Sequence, residues 1–551
     1  MTRCAQDEGA ITIRATPALS GRNFNLMPTS TLAPAEKRVI FASSLGTMFE
    51  WYDFYLYATL APFFAALFFP KGNDTAALLS AFATYAAGFL VRPFGALVFG
   101  RIGDIVGRKY TFLVTIICMG GATFAVGLLP TFASIGWLAP VLLVTLRLVQ
   151  GLALGGEYGG AATYVAEHAP PGKRGLHTSW IQTTATLGFF LALLVILACR
   201  SAMSTADFAS WGWRIPFALS VVLLAFSVYI RLKLEESPVF LKIKREGKTS
   251  AAPLTESFAR WGNAKIVLLS LFGATAGQGV VWYTGQFYAL FFLTITLKLD
   301  FRFAYALIAI SLALGTPFFI FFGWLSDRLG RLKIIMAGCA IAALTYFPLF
   351  HGLTHYVNPA LEAAQARTPV SVSASGCTFH LFVGPWSTFN DCDRAKDLLT
   401  KAGVSFTSKE APAASPNAIV TKIGDVELKG FDAKAYSDAL KTAGFPTEAN
   451  LAQVNWVMAE LILLVMVLFV TMVYGPIAAF LVELFPARIR YTSMSLPYHI
   501  GNGWFGGMLP LLATAVVAAT GNIYYGLWYP IGVAVMTLVV GVVFLREGAE
   551  G

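Results

Sequence analysis

Twelve stretches of this 551-residue chain are apolar over about twenty residues or more, and that repetition constrains the fold more than any other feature. They run at about 39–69, 78–100, 110–130, 137–165, 178–199, 214–232, 265–297, 303–325, 333–351, 455–480, 494–519 and 523–545. A helix rises about 1.5 Å per residue, so about 20 apolar residues cross a hydrocarbon core of about 30 Å. Composition agrees. Only 13% of residues are charged, against roughly 25% in soluble domains, too few to coat a globule of this size. A hydrophobic fraction of 56% with 45 Phe excludes a disordered chain. The first stretch carries Glu50 and Asp53 and follows a polar tail of nearly forty residues, so it does not read as a secretion signal. The expected fold is an all-α polytopic membrane protein with twelve transmembrane helices.

The chain holds 40 Lys+Arg against 30 Asp+Glu, a net charge of +10. With the N-terminus inside, the short inner loops hold ten basic residues and the short outer loops five. The loop after the sixth span adds six more, among them Arg231 and Lys233. The positive-inside rule then puts both termini in the cytoplasm of a bacterial inner membrane. The basic excess is topological, and nucleic acid is not an expected partner.

The chain repeats itself. After the second span it reads GRIGDIVGRK, with Gly100, Asp104, Gly107, Arg108 and Lys109; after the eighth it reads GWLSDRLGRLK, with Asp327, Gly330 and Arg331. After the fourth span comes EHAPPGKRG, with Glu167 and Arg174, and after the tenth ELFPARIRY, with Glu483 and Arg490. Each six-helix half therefore carries G-x3-D-x2-G-R and E-x2-P-x3-R in that order. Seventy residues separate Asp104 from Arg174, but 163 separate Asp327 from Arg490, so the second half holds about 93 extra residues. The polar stretch between the ninth and tenth spans has that size. The expected organisation is a tail (1–38), a six-helix bundle (39–232), a central loop (233–264), three helices (265–351), a periplasmic insertion (352–454), three helices (455–545) and a short tail (546–551).

Within the insertion, CTFHLFV predicts a strand, DCDRAKDLLTKAG a helix, AIVTKIGDVELKG a hairpin turning at Gly424-Asp425 and FDAKAYSDALKTAG a second helix, giving a small α+β cap. Cys377 and Cys392 lie there on the oxidising side and are expected to form a disulfide. The other cysteines show no metal-ligand spacing, so no metal site is expected.

The duplicated motifs resemble those of the major facilitator superfamily. GTMFEWYDFYLYA (46–58), FLVRPFGALVFGRIGD (89–104), RLVQGLALGGEYGGAATYVAE (147–167), WGWRIPFAL (211–219) and LEESPVF (234–240) are similar to its metabolite:proton symporter branch, which includes porters of α-ketoglutarate, citrate, shikimate and proline or betaine. The resemblance covers about 37–546 apart from the insertion. It implies two six-helix bundles that rock about a site near the midplane.

Ionisable residues inside a span are functional candidates because they are costly there. Glu50 lies about 18 Å along the helix from Arg38 at 1.5 Å per residue, near mid-bilayer, and Asp53 follows at i+3 on the same face. Two carboxylates so close can load and release a proton; alternatively one is fixed by an Arg of a neighbouring helix. Glu157, within GGEYGG, is a third candidate for proton coupling, although the glycines alone suit close helix packing. Arg92 could clamp a substrate carboxylate or serve as counter-ion to Glu50 or Asp53. Arg147 and Gln150 match the family's R-x2-Q-G motif, which implies proton coupling or substrate contact, against a plain interhelical bridge. Tyr283, Gln286 and Tyr288 are polar groups of the seventh span available to substrate, with Gln278 beside them, and ordinary interhelical bonding is the competing reading. His499 and Asn502 share a spacing of three, and a packed polar His is the blander account. The repeated loop residues Gly100, Asp104, Gly107, Arg108, Lys109, Glu167, Arg174, Asp327, Gly330, Arg331, Glu483 and Arg490 are expected to form cytoplasmic charge networks and helix caps, against a plain topology-setting role, and the resemblance implies that they act as a cytoplasmic gate.

No H-E-x2-H, G-x-S-x-G or P-loop pattern occurs, so no catalytic set and no ATP site are expected. The expected function is proton-coupled import of a small, carboxylate-bearing metabolite by a monomer, with protons as coupling ion and no other cofactor. The alternatives are a proton-coupled exporter or a solute sensor on the same scaffold. The Gly-Pro pair usual in the fifth helix of drug antiporters is absent from SWIQTTATLGFFLALLVILA.

Overall fold

The computed structural model describes residues 34–69, 74–233, 236–375, 377, 388–410 and 419–547. Spans 1 to 6 are Pro34–Phe68, Asp74–Leu90 continuing as Arg92–Ile105, Arg108–Leu128, Leu138–His168, Arg174–Ala202 and Arg214–Leu232. Spans 7 to 12 are Trp261–Thr296, Phe301–Leu329, Arg331–Val357, Trp456–Leu484, Arg490–Thr520 and Tyr525–Phe544. Eleven helices among the described residues are long and apolar enough to cross a membrane, and span 1, 35 residues long, precedes them. Apolar side chains line the outside: Leu344 is 79% exposed and Val457 69%. A water-soluble surface does not tolerate a belt of this kind, but hydrocarbon does.

Several spans run past their expected ends. Span 9 was expected to stop at 351 but continues to Val357, with Leu353, Thr354 and Val357 buried and Thr354 accepting from the Tyr524 hydroxyl. Span 7 begins at Trp261, and the central loop before it holds a helix of its own, Pro238–Arg245, capped by Ser237.

Two local features bear on the site. Span 2 breaks at Val91, ahead of Arg92-Pro93. Proline cannot donate the helical bond back to Phe89 and its ring crowds that carbonyl, so the helix kinks at Arg92. Span 7 contains wide turns at Leu271–Thr275, Thr284–Tyr288 and Phe292–Thr296. Such turns inside helices often mark functional positions.

The insertion is a four-stranded sheet with order β2-β1-β3-β4, where β1 is Val370–Ala374, β2 Thr407–Glu410, β3 Val420–Ile423 and β4 Val426–Lys429. β1 and β2 are parallel, joined by the helix Asp391–Lys401; β3 and β4 form a hairpin through Gly424, whose φ of +58° suits glycine. The helix Ala433–Thr442 closes the unit. The strand expected at 377–383 falls outside the described residues except for Cys377. Neither β1 nor β2 was expected, although β1 alternates as VSVSA, with Val370, Val372 and Ala374 buried. Cys377 and Cys392 are disulfide-bonded, with Cα atoms 5.4 Å apart.

Candidate functional site

Span 1 has two working faces. Glu50, 2% exposed, forms an ion pair at 2.6 Å with Arg231 of span 6. The Ser220 hydroxyl, also on span 6, donates to Asp53 at 2.5 Å. Both carboxylates therefore point into the N-terminal bundle. Arg231 also donates to the Phe112 carbonyl at 2.9 Å and lies 3.6 Å over that ring. The sequence reading counted Arg231 as a loop charge and passed over Ser220, because nothing local shows what stands opposite a helix.

The other face of span 1 meets the second bundle. Trp51 and Tyr55 stack at 5.2 Å, and Tyr55 lies 5.8 Å from Trp282 of span 7 and 5.4 Å from Phe287. Arg92 sits among these rings, 4.2 Å over Phe89, 4.4 Å over Phe54 and 5.7 Å over Trp51. It is fully buried, and all three guanidinium nitrogens are without a hydrogen-bond partner. The reading of Arg92 as counter-ion to Glu50 fails here, since Arg231 holds that place. Tyr283, Tyr474 and His499 of the second bundle lie within electrostatic reach of Arg92. Both nitrogens of His499 and both polar atoms of Gln286 are buried without partners.

Arg147 occupies the next layer. Its guanidinium lies over Phe54 at 4.6 Å and Tyr57 at 4.5 Å, and it donates to Gln150 at 2.6 Å; Gln150 in turn donates to Thr123 at 2.8 Å. Gln150 therefore positions Arg147 within the bundle. Gln278 and Asn502 satisfy each other through paired amide bonds of 2.9 and 2.8 Å. Tyr288 turns away from the interface, packing on Phe292 and on Phe350 at 5.5 Å. Glu157 is 2% exposed and its Oε1 has no partner. Its neighbour Tyr158, which the sequence reading did not single out, stacks on Tyr498 of span 11 at 3.4 Å and accepts from Gln182 at 2.6 Å. The adjoining glycines set helices together: a Cβ on Gly155 would strike the Arg92 carbonyl of span 2.

The repeated motifs meet at one end of the molecule. Asp104 accepts from the backbone N–H of Thr492 at 2.9 Å and its hydroxyl at 2.7 Å, at the start of span 11. Asp327 accepts from Gly175 and Leu176 N–H, both at 2.8 Å, at the start of span 5. Each aspartate thus sits on a helix N-terminus of the opposite bundle, where N–H groups and the helix dipole favour an anion. Gly100 lets span 2 pass Thr492, whose Cα would lie 3.1 Å from an added Cβ. Gly107 and Gly330 have φ of +142° and +104°, a region L-residues avoid, as they turn into the next helix. Arg331 joins Asp327 at 2.9 Å to Glu483 at 2.6 Å; Arg174 lies 3.7 Å from Glu483, and Arg490 pairs with Glu167 at 3.1 Å. Ser237 of the central loop also donates to Glu167. Lys109 goes elsewhere, donating to the Leu232 carbonyl at 3.0 Å. The Arg108 side chain lies outside the described residues. No group of three or more possible metal ligands occurs among them.

Residues 39–265 match the sugar (and other) transporter family. The chain is 36% identical over 359 residues to the inner membrane metabolite transport protein YhjE of Escherichia coli (strain K12), covering 63% of this chain and 78% of that one. It is 36% identical over 320 residues to the shikimate transporter and 35% over 321 to the alpha-ketoglutarate permease of the same organism, covering 58% of this chain and 72% of each relative. Among solved structures, the proton:xylose symporter XylE bound to 6-bromo-6-deoxy-D-glucose superposes with a TM-score of 0.60 at 14% identity, covering 93% of this chain and 96% of that one. That likeness is one of fold.

Proposed function

Because this chain belongs to the major facilitator superfamily, whose members here are transporters and not enzymes, we propose that it imports a small carboxylate-bearing metabolite together with protons by alternating access. The observation that carries the reading is Arg92: a buried guanidinium, lacking hydrogen-bond partners, at the interface of the two bundles. A substrate carboxylate would complete it with two charge-assisted bonds. Tyr283 and Gln286 stand across the interface for the rest of the substrate.

Span 1 supports the coupling. Glu50 and Asp53 contact span 6, while Trp51, Phe54 and Tyr55 line the site. Protonating Asp53, beside the Glu50–Arg231 pair, would remove its charge from the contact with span 6 and let span 1 shift against span 6, moving the aromatic wall. The charge distribution supports an orientation with both termini and the motif network in the cytoplasm and the insertion in the periplasm. In that orientation the network holds the cytoplasmic end shut while the outer end opens. The protein works as a monomer in this reading, without a cofactor besides the proton.

Uptake in energised membrane vesicles tests it. A labelled carboxylic acid should accumulate, and a protonophore should abolish the accumulation. Uptake unaffected by the protonophore removes the symport; efflux driven by the gradient makes the protein an exporter; saturable binding without transport makes it a sensor. Asp53→Asn should lose accumulation at normal expression, and concentrative uptake by that variant would transfer the proton role to Glu50 or Glu157.

A further inference from the structure

The two copies of the gate motifs differ where they meet the opposite bundle. In both, an aspartate of one bundle sits on a helix start of the other, Asp104 on span 11 and Asp327 on span 5. The residue after the motif arginine is Gly175 in one copy and Tyr491 in the other, and the residue before the aspartate is Ser326 or Gly103. At one seam Gly175 lies flat, where a Cβ would strike the Gly323 carbonyl and Ser326. At the other the sizes are exchanged, and Tyr491 of span 11 is fully buried in a socket of the first bundle. A Cβ on Gly103 of span 2 would overlap its ring, and the three atoms nearest that point all belong to Tyr491. On span 4, a Cβ on Gly159 would come within 2.7 Å of the ring and one on Gly160 within 2.7 Å of the hydroxyl, far inside ordinary contact. The hydroxyl donates to the Gly156 carbonyl.

Behind this socket stands the charged pair of the first bundle. The Phe112 ring of span 3 is 3.3 Å from the same point beside Gly160. Arg231 lies 3.6 Å over that ring, donates to the Phe112 carbonyl at 2.9 Å and pairs with Glu50 at 2.6 Å. The titratable groups facing Arg231 are Glu50 of span 1 and Tyr491 of span 11, and Asp53 in turn faces Glu50. Close-packed side chains switch between discrete arrangements instead of deforming continuously. Resting on the importer reading, we propose that Tyr491 is the positioning residue that couples proton loading on span 1 to the cytoplasmic gate. Seated, it backs Phe112 and so holds Arg231 against Glu50. As the cytoplasmic end opens, it leaves the socket, and Phe112 and Arg231 gain room to shift against span 1. Conversely, a proton on Asp53 loosens span 1 from span 6, and the displaced Arg231 and Phe112 no longer form the back of the socket. The proton and the gate therefore bias each other equally.

Spin labels at Lys173 and Arg488 of the purified full-length protein in detergent, measured in acidic and in alkaline buffer, test this. The wild-type ratio of open to closed cytoplasmic ends should differ about threefold or more between the two buffers. Tyr491→Ala should raise that ratio about tenfold or more and abolish the difference. Tyr491→Phe keeps the ring in the socket and should retain the difference, which separates a lost ring from a lost fold. Asp104→Asn should open the same end and also retain it. Gly103→Ala alone should favour opening, but it should add nothing to Tyr491→Ala, where no ring is left to strike. A difference in Tyr491→Ala as large as in the wild type, or additive effects of Gly103→Ala and Tyr491→Ala, overturns the proposal and leaves the importer reading standing. Wild-type distances that ignore pH take the proton away from the gate, and the importer reading then falls together with the coupling.

Discussion

Glu50 and Arg231 show how one residue can decide what a neighbouring face does. Both are 2% exposed, in an environment where an unmatched charge is costly. Arg231→Met should therefore lower the thermal stability of the purified protein by about 3–5 kcal/mol, because it strands the Glu50 carboxylate. The double variant Glu50→Gln/Arg231→Met should recover most of that loss, since neither charge remains. A double variant no more stable than the single one would mean that packing of Arg231 on Phe112 carries the effect. The sequence made Glu50 conspicuous as an acid in an apolar run. Its partner was invisible, because Arg231 ends a span and reads as a loop charge. Arg92 was legible for the same reason as Glu50, but its lack of an acid was not.

Among elements, the decisive contacts are the two aspartates seated on helix starts. Asp104 holds span 11 and Asp327 holds span 5, each from the opposite bundle. At the other end of the interface, Tyr305 donates to the Thr59 carbonyl at 3.2 Å and Arg200 lies 3.7 Å over Phe301. Neutral bonds of this kind contribute about 1 kcal/mol, and those to a charged group about 1.5–3 kcal/mol. Asp104→Asn or Asp327→Asn should therefore shift the balance towards opening at the motif end by roughly ten- to a hundredfold. Spin labels at Lys173 and Arg488 would read this as a longer distance; an unchanged distribution would show that these bonds do not hold that end. The motifs themselves stood out in the sequence because they recur in order. That each aspartate reaches across to the other bundle was not legible, since a repeat says nothing of which copy touches which.

In the whole molecule, the insertion belongs to the second bundle. The chain leaves at Tyr356 and returns at Asn455, whose N–H donates to the Tyr356 carbonyl at 2.8 Å, so the two ends of the insertion meet. Its described hydrogen bonds to the membrane helices run to that bundle: Ala449 N–H to the Lys298 carbonyl at 3.0 Å, Phe406 N–H to Gly521 at 2.7 Å, and the Lys298 ammonium to the Lys401 carbonyl. Asn358 ties the same corner, donating to the Leu297 carbonyl at 2.9 Å. The cap is expected to ride with spans 7, 9 and 11 through the transport cycle. Replacing residues 358–450 with a short linker should therefore leave substrate affinity unchanged within about twofold and lower the unfolding temperature. Calorimetric titration and a thermal melt would read both, and loss of binding would make the cap part of the site. The sequence by itself determined the twelve spans, the duplicated halves, the size and place of the insertion, and the few charges lodged in apolar runs. All of these follow from length, periodicity and repetition, which are local. Only the tertiary structure decided which face of each helix met which neighbour: that Glu50 and Asp53 turn to span 6, that Arg92 and Arg147 meet rings and amides instead of acids, and that Tyr288 faces away. A helix turns about 100° per residue, so the sequence places side chains around an axis, and packing alone determines what stands opposite them.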